Sequence, residues 1–279
     1  MEAGERFEVR LRASLLTWLD MARREVRGIL EGRDPEYLHR YRVNLRRCRG
    51  VLRAHKHALD PSGRKRADRA LKVLVKPTNA ARDLDVMLDD CGKWSKVMCD
   101  EPVIAEGMRR LKAQVARRKR SAYRALWDWL ESEKAGKAFD EAIDALQSLG
   151  VIGRFAGQSY ECVTEREFIK RYRMIMKRHA RYTESGVTPE QWHALRLSIK
   201  SARYLAESLE KPGKAMRKSI KQLKHLQDEL GRIQDWHVQR ARVVHMLGQP
   251  RQPDDVKIAL ASIYGWLTAR LAHHTRGEQ

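Results

Sequence analysis

Helical spacing of apolar residues dominates the chain. Apolar side chains recur every three or four residues, whereas the alternation of a half-buried strand, bounded by turn residues, is scarce. Three segments join an N-cap residue to a proline suited to the first helical position: Asp34-Pro35, Asp60-Pro61 and Thr188-Pro189. Pro77 ends the helix before it, because proline cannot continue a helix. We predict about ten helices, no sheet and an all-α fold of packed helical bundles.

One helix start occurs twice in the chain. The run Asp34-Pro35-Glu36 precedes His39, and Thr188-Pro189-Glu190 precedes His193, 154 residues later. Each histidine begins the pattern H-x2-R-x3-[RK]-x2-R. The first stripe is His39, Arg42, Arg46 and Arg49; the second stripe is His193, Arg196, Lys200 and Arg203.

Each stripe occupies one face of its helix. At 100° per residue, the four positions stay within an arc of about 80° and span about 15 Å along the axis. A single basic stripe is usually a solvated face, since long basic side chains extend readily into water. Two copies at matching spacing instead indicate a shared anion-binding site. Guanidinium groups match pairs of phosphate oxygens, so a row of them suits a linear anion with a charge on every unit.

A second repeat supports a duplication of the whole chain. Residues 79–86 resemble residues 231–238, and Lys72 and Lys224 each precede the aspartate of their copy, Asp83 or Asp235, by 11 residues. We therefore predict a single domain over residues 1–279, built from two half repeats of about 1–150 and 151–279. Pseudo-twofold symmetry would relate the two halves.

Composition points to a large anionic partner. The 279 residues include 57 Lys+Arg against 36 Asp+Glu, a net charge of +21, together with 42% hydrophobic residues. The apolar fraction supports a core and excludes a disordered basic tail. The excess positive charges repel one another in a compact fold. We therefore expect nucleic acid, an anionic membrane surface or polyphosphate as the partner. Further basic faces, such as Arg110, Arg117 and Arg124, predict one positive surface lined by several helices.

The two histidines predict a pH dependence of binding. His39 and His193 would stand among cations, which disfavours the charged imidazolium, whereas a bound polyanion would favour it. We expect tighter binding as the pH falls toward 6, and a flat affinity over that range would contradict a role for the histidines.

The cysteines and the chain start indicate a cytoplasmic protein. Cys48, Cys91, Cys99 and Cys162 show no CxxC spacing, which favours buried free thiols in a reducing compartment. No apolar run reaches the roughly 18 residues of a membrane span, and the first residues lack a signal-peptide pattern.

Metal and catalytic motifs are absent from the sequence. The carboxylates at positions 83, 85, 89 and 90 could suggest a metal cluster, but the second copy places His237, Ala241 and Arg242 at three of these positions. We therefore predict no metal site, and we interpret Asp83 and Asp235 as partners of stripe arginines or as turn caps. No nucleophile stands with a base, so we predict no enzyme activity and no cofactor.

The paired motifs resemble those of the CHAD domain, the conserved histidine α-helical domain. The resemblance rests on the two stripes together with Arg82-Asp83-Leu84-Asp85-Val86 and Leu230-Gly231-x3-Asp235, and it covers nearly the whole chain. It implies two helical bundles around a basic central pore and non-catalytic binding of inorganic polyphosphate. Some members locate to polyphosphate granules. It implicates all eight stripe residues as polyphosphate-binding, with Lys72 and Lys224 as weaker candidates.

Two other functions compete with polyphosphate binding. A helical protein that binds nucleic acid would also explain the excess of positive charge. Such a protein would favour exposed aromatic residues on which bases can stack. A phosphate-ester or polyphosphate hydrolase would need a carboxylate metal site or an activated nucleophile, and the sequence offers neither.

Overall fold

Ten α-helices make up most of the part of the chain that the computed structural model describes, residues 5–98, 101–184, 188–209 and 212–275. They are α1 (Phe7–Leu30), α2 (Pro35–Ala54), α3 (Pro61–Val75), α4 (Asn79–Met98), α5 (Pro102–Glu131), α6 (Glu133–Gln147), α7 (Tyr160–Glu184), α8 (Pro189–Glu207), α9 (Lys214–Leu247) and α10 (Asp254–Thr275). These ranges hold two isolated bridge pairs but no strand. The prediction of an all-α fold is confirmed.

The three proline-marked helix starts are confirmed. Asp34 Oδ1 accepts from the backbone N–H of Glu36 at 2.8 Å, and Asp60 Oδ2 accepts from that of Gly63 at 2.6 Å. Thr188 forms a capping box with Gln191. The predicted end at Pro77 is also confirmed, since α3 stops at Val75 and residues 76–78 form a short 3-10 turn.

Two compact units divide the chain. The first consists of residues 1–79 and 126–227, and the second of residues 80–125 and 228–279. Each unit contains residues from both predicted half repeats. The units therefore do not test the boundary near residue 150, which stays a prediction from the sequence.

In the first unit, α2 packs against α1, α3 and α8. Leu38, Tyr41, Leu45 and Leu52 of α2 are fully buried, and each buried leucine contributes about 1.5–3 kcal/mol through its loss of contact with water. The Tyr41 hydroxyl donates to the backbone carbonyl of Leu74 at 3.1 Å, which fixes α2 beside α3. The apolar face of α2 thus turns inward, and its stripe residues lie off that face.

In the second unit, apolar side chains from α4, α5, α9 and α10 form one core. Trp94, Leu111, Val243 and Ile263 are representative, one from each helix, and all four are buried. Gly107 permits α10 to approach α5 closely, because a Cβ at that position would lie 2.0 Å from the carbonyl oxygen of Asp255.

The cysteines follow the prediction in part. Cys48 and Cys91 are buried, as expected, and Cys99 lies outside the described residues. Cys162 is exposed, contrary to the prediction. Its neighbours Tyr160 and Val163 are buried, so position 162 lies on the opposite side of α7 and faces solvent. Among the described helices, none combines the length and the apolar character that a membrane crossing requires.

Candidate anion-binding site

The two stripe helices, α2 and α8, lie in the first unit and pack directly against each other. A Cβ added at Gly50 would stand 2.4 Å from Tyr204 Cδ2, so the helices meet closely where Gly50 faces Tyr204. These two residues are 154 positions apart and therefore occupy the same place in the two copies. A twofold relation between the halves would produce this contact, and that relation itself stays a prediction.

The ten predicted site residues all belong to the first unit, on four helices. Their side chains range from half-buried to exposed. The half-buried ones are His39, Arg42, Arg49, Arg196, Lys200 and Arg203, and the exposed ones are Arg46, Lys72, His193 and Lys224.

Arg42 is anchored at the break between α3 and α4. Its Nη1 donates to Thr78 Oγ1 and, at 2.8 Å, to Asn79 Oδ1. Thr78 is fully buried and its hydroxyl also donates to the carbonyl of Val75 at 2.6 Å, so this anchor is rigid. The oxygens of Thr78 and Asn79 are neutral, and these two bonds therefore orient the guanidinium without cancelling its charge.

Asp68 of α3 holds the other end of the first stripe. Its Oδ1 lies 2.9 Å from Arg49 Nε and 3.7 Å from Arg53 Nη2, and its Oδ2 lies 3.3 Å from Lys72 Nζ. One carboxylate thus gathers a stripe arginine, the weaker candidate Lys72 and a further arginine into a single cationic cluster. The Arg49 and Asp68 side chains are each only 17% exposed, so this ion pair is well shielded from water.

The pKa of Asp68 reflects this cluster. Burial raises the pKa of the carboxyl group, but the hydrogen bond and the charge of Arg49, with those of its basic neighbours, outweigh burial and hold the pKa below its usual value. Asp68 is therefore ionised at neutral pH and competes with any bound anion for the same donors.

The second stripe has a different internal partner. Glu207 Oε1 lies 3.4 Å from Arg203 Nη2 of α8, and its Oε2 lies 3.3 Å from Arg47 Nε of α2. Glu207 thereby links the two stripe helices. By the spacing of Lys72 and Lys224, the counterpart of Asp68 is Ile220, so the second copy carries no carboxylate at that place.

Sequence reasoning missed Asp68, Glu207 and Thr78. Asp68 and Lys72 stand four residues apart, which is a recognisable helix-surface pair. The pairing of Asp68 with Arg49 and that of Glu207 with Arg47 join different helices, and no local pattern indicates them. Arg42 and Thr78 are likewise joined only by the packing of α2 against α3.

Asp83 and Asp235 do not fit the interpretation as turn caps. They lie inside α4 and α9, so neither residue stands at a turn. Both belong to the second unit, where Asp83 Oδ1 is 3.6 Å from Arg242 Nη2. Asp68 pairs with Arg49 of the first stripe, and Glu207 pairs with Arg203 of the second.

The other acidic residues of α4 have separate partners. Asp85 accepts from the Tyr123 hydroxyl at 2.8 Å and lies 2.7 Å from Lys119 Nζ. Asp90 accepts from Gln239 Nε2 at 2.8 Å, and burial raises its pKa. In the part of the chain that the structure describes, no group of three or more His, Cys, Asp or Glu side chains is arranged to hold a metal ion.

The family model of the CHAD domain matches residues 13–244. The chain belongs to the CHAD domain family. Its fold is similar to the crystal structure of the CHAD domain from the plant Ricinus communis, with a TM-score of 0.74 and 23% identity over 98% of this chain and 89% of that one. PptA from Streptomyces chartreusis is also similar, with a TM-score of 0.73 and 14% identity over 96% of each chain. No curated protein matches the sequence.

Proposed function

We propose that this CHAD-domain protein binds inorganic polyphosphate through the two stripes and does not transform it. The CHAD domain is associated with polyphosphate-related proteins. The observation that carries the proposal is the packing of α2 on α8 within one compact unit, since each helix bears one copy of the His/Arg/Lys row. Association with polyphosphate granules would follow from such binding.

The distribution of charge supports this proposal. The first unit holds 39 Lys+Arg against 23 Asp+Glu, so it carries +16 of the total +21. Helix α2 alone carries six arginines against one glutamate. A linear polyanion would offset the mutual repulsion of these cations, and its affinity would fall with rising salt because surface charges are screened.

The geometry of the stripe arginines suits binding better than catalysis. Arg42 is oriented by two neutral oxygens and Arg49 by a carboxylate. Guanidinium groups held in this way match the paired oxygens of a phosphate. Hydrolysis would need a metal centre or an activated nucleophile beside this row. We therefore expect no release of phosphate when the protein is incubated with polyphosphate and divalent cations.

Charge reversal in the stripes tests the proposal. The double variant Arg42→Glu/Arg196→Glu removes one guanidinium from each stripe, and at about 1.5–3 kcal/mol for each charged hydrogen bond lost it should bind long-chain polyphosphate at least ~100-fold more weakly. The measurement is a titration of fluorescently labelled polyphosphate at fixed salt, with helicity checked by circular dichroism.

Lys134→Glu/Lys137→Glu is the matched control. It makes the same change in net charge on exposed positions of α6 in the same unit. We expect this variant to bind within about threefold of the natural protein, because exposed charges outside the stripes are largely screened. Equal weakening by both double variants would mean that net charge, and not the stripes, determines binding.

A further inference from the structure

A cationic pocket of about 270 Å³ lies in the second unit, between α5 and the segment that joins α9 to α10. It is lined by Pro250 and by three arginines and three glutamines, with no carboxylate: Arg117, Arg118, Arg251, Gln114, Gln249 and Gln252. All of these residues lie outside the stripes, so the pocket is formed by a separate set of side chains.

No carboxylate of the described residues forms an ion pair with the three arginines of the pocket. Across the described residues, none of Arg117, Arg118 and Arg251 has a carboxylate oxygen within 4 Å. The nearest acidic residues along the chain are engaged elsewhere, since Asp254 lies 2.9 Å from Lys257 Nζ and Asp255 lies 3.1 Å from Arg110 Nε. Three uncompensated guanidinium groups at one concave site favour an anionic occupant.

Hydrogen bonds hold the walls of the pocket. Arg118 Nη2 donates to Gln249 Oε1 at 2.6 Å, and Gln114 Nε2 donates to Gln252 Oε1 at 3.3 Å. Gln252 is only 9% exposed, so it is packed into the fold. Since Oε1 accepts, the Gln252 amide nitrogen remains a donor, and no acceptor for it is found among the described residues.

The backbone at Arg251 adds an independent observation. Its φ is 64°, and within the described ranges it is the sole non-glycine residue with a positive φ. This left-handed conformation is unfavourable for a residue with a Cβ, and glycine would relieve it. An arginine at a place that favours glycine points to a requirement for its side chain in the pocket.

We propose that this pocket binds a diphosphate group, either as inorganic pyrophosphate or as part of a nucleoside diphosphate. Arginine forks present paired N–H donors that match the oxygens of a phosphoryl group, and two neighbouring phosphoryl groups would engage all three arginines. The pocket, at about 270 Å³, has room for such a group, since a single water molecule takes ~30 Å³ of liquid volume.

Calorimetric titration with sodium pyrophosphate at fixed ionic strength tests this site. The protein used is the full chain with Arg42→Glu/Arg196→Glu, so that the stripes make little contribution. We expect one pyrophosphate per chain, and Arg117→Ala/Arg251→Gly should weaken that binding at least tenfold. Lys112→Ala/Arg124→Ala removes the same charge from exposed positions of α5 outside the pocket and should leave the binding unchanged.

The single variant Arg251→Gly separates binding from folding. It should weaken pyrophosphate binding while the unfolding temperature stays the same or rises, because glycine relieves the backbone strain. A parallel titration with ADP distinguishes the source of the diphosphate: similar affinity assigns the site to the shared diphosphate group, and much weaker binding assigns it to the inorganic ion. Absence of pyrophosphate binding, or equal losses in the pocket and control variants, would overturn the proposal.

Discussion

At the scale of single residues, Asp68 organises the first stripe and also opposes the anion binding that we propose for it. It orients Arg49 and gathers Arg53 and Lys72 around itself, yet it cancels part of the positive charge that a phosphate chain would meet. The second copy has Ile220 at the corresponding place. In the second stripe, Glu207 pairs with Arg203. The two stripes therefore take their carboxylate partners from different places in the fold, although their own residues match closely.

Replacing Asp68 should change the stability of the fold and the affinity for polyphosphate in opposite directions. Asp68→Asn should lower the free energy of unfolding by about 1–3 kcal/mol at pH 7, because the shielded Arg49 loses its charged partner. Affinity for polyphosphate should rise, since the carboxylate no longer competes for the same donors. Chemical denaturation and the labelled-polyphosphate titration measure the two effects.

Asp144→Asn on α6 is the control for Asp68. Asp144 also pairs with an arginine of α3, Arg66, but both side chains are exposed, so the expected change in stability is below about 0.5 kcal/mol. Weaker polyphosphate binding by a folded Asp68→Asn variant would show that orientation of Arg49 matters more than charge competition.

His55 gives the fold a specific sensitivity to acid. The residue is 2% exposed among Phe7, Tyr160 and Thr164, and burial, with Arg171 nearby, lowers its pKa to about 3. His55 is therefore protonated at a lower pH in the folded state than in the unfolded chain. The stability that depends on neutral His55 is complete above the unfolded pKa near 6.5 and is lost progressively as the pH falls toward 3.

Unfolding measured between pH 7 and 4.5 tests this effect. The natural protein should lose roughly 3 kcal/mol to His55 over that range, at 1.36 kcal/mol per pH unit. His55→Gln should start less stable at pH 7 but lose correspondingly less on acidification. His57→Gln, at an exposed neighbouring position, should keep the full loss. Identical pH dependence in the natural protein and His55→Gln would contradict this role.

At the scale of helices, the sequence predicts what local chemistry determines. Asp34, Asp60 and Thr188 cap helices as expected because an N-cap satisfies backbone N–H groups only two or three residues away. Pro77 ends α3 for an equally local reason. The partners of Arg42, Arg47 and Arg49 lie far away in the sequence. They can be identified only from the packing of the helices.

The contact of α2 with α8 depends on Gly50. Gly50→Ala would place a Cβ 2.4 Å from the Tyr204 ring and should cost about 1–3 kcal/mol by forcing the two helices apart. If the stripes act together, polyphosphate binding should weaken as well. Thermal unfolding and the polyphosphate titration measure both changes.

Gly92→Ala in α4 is the matched control for Gly50. No atom lies within 4 Å of a Cβ added there, so the variant should gain about 0.5–1 kcal/mol from better helix propensity. Equal stabilisation by Gly50→Ala would contradict close packing of the two stripe helices.

At the scale of the whole molecule, charge is distributed unevenly. The first unit carries +16 and contains every residue of both stripes, whereas the second unit carries the remaining +5 and contains the pocket around Arg117 and Arg251. The sequence predicts a basic helical protein and its repeated rows, because both follow from composition and spacing. It does not predict the division into units, since each unit joins segments that are distant in the chain.

The most direct test of polyphosphate binding is a competition at fixed salt. Labelled long-chain polyphosphate is bound to the natural protein and displaced with unlabelled polyphosphate, single-stranded DNA or double-stranded DNA at equal phosphate concentration. Binding through the two stripes predicts that polyphosphate displaces the label at much lower concentration than either nucleic acid, and that Arg42→Glu/Arg196→Glu abolishes this preference. Stronger displacement by nucleic acid would contradict the proposed function.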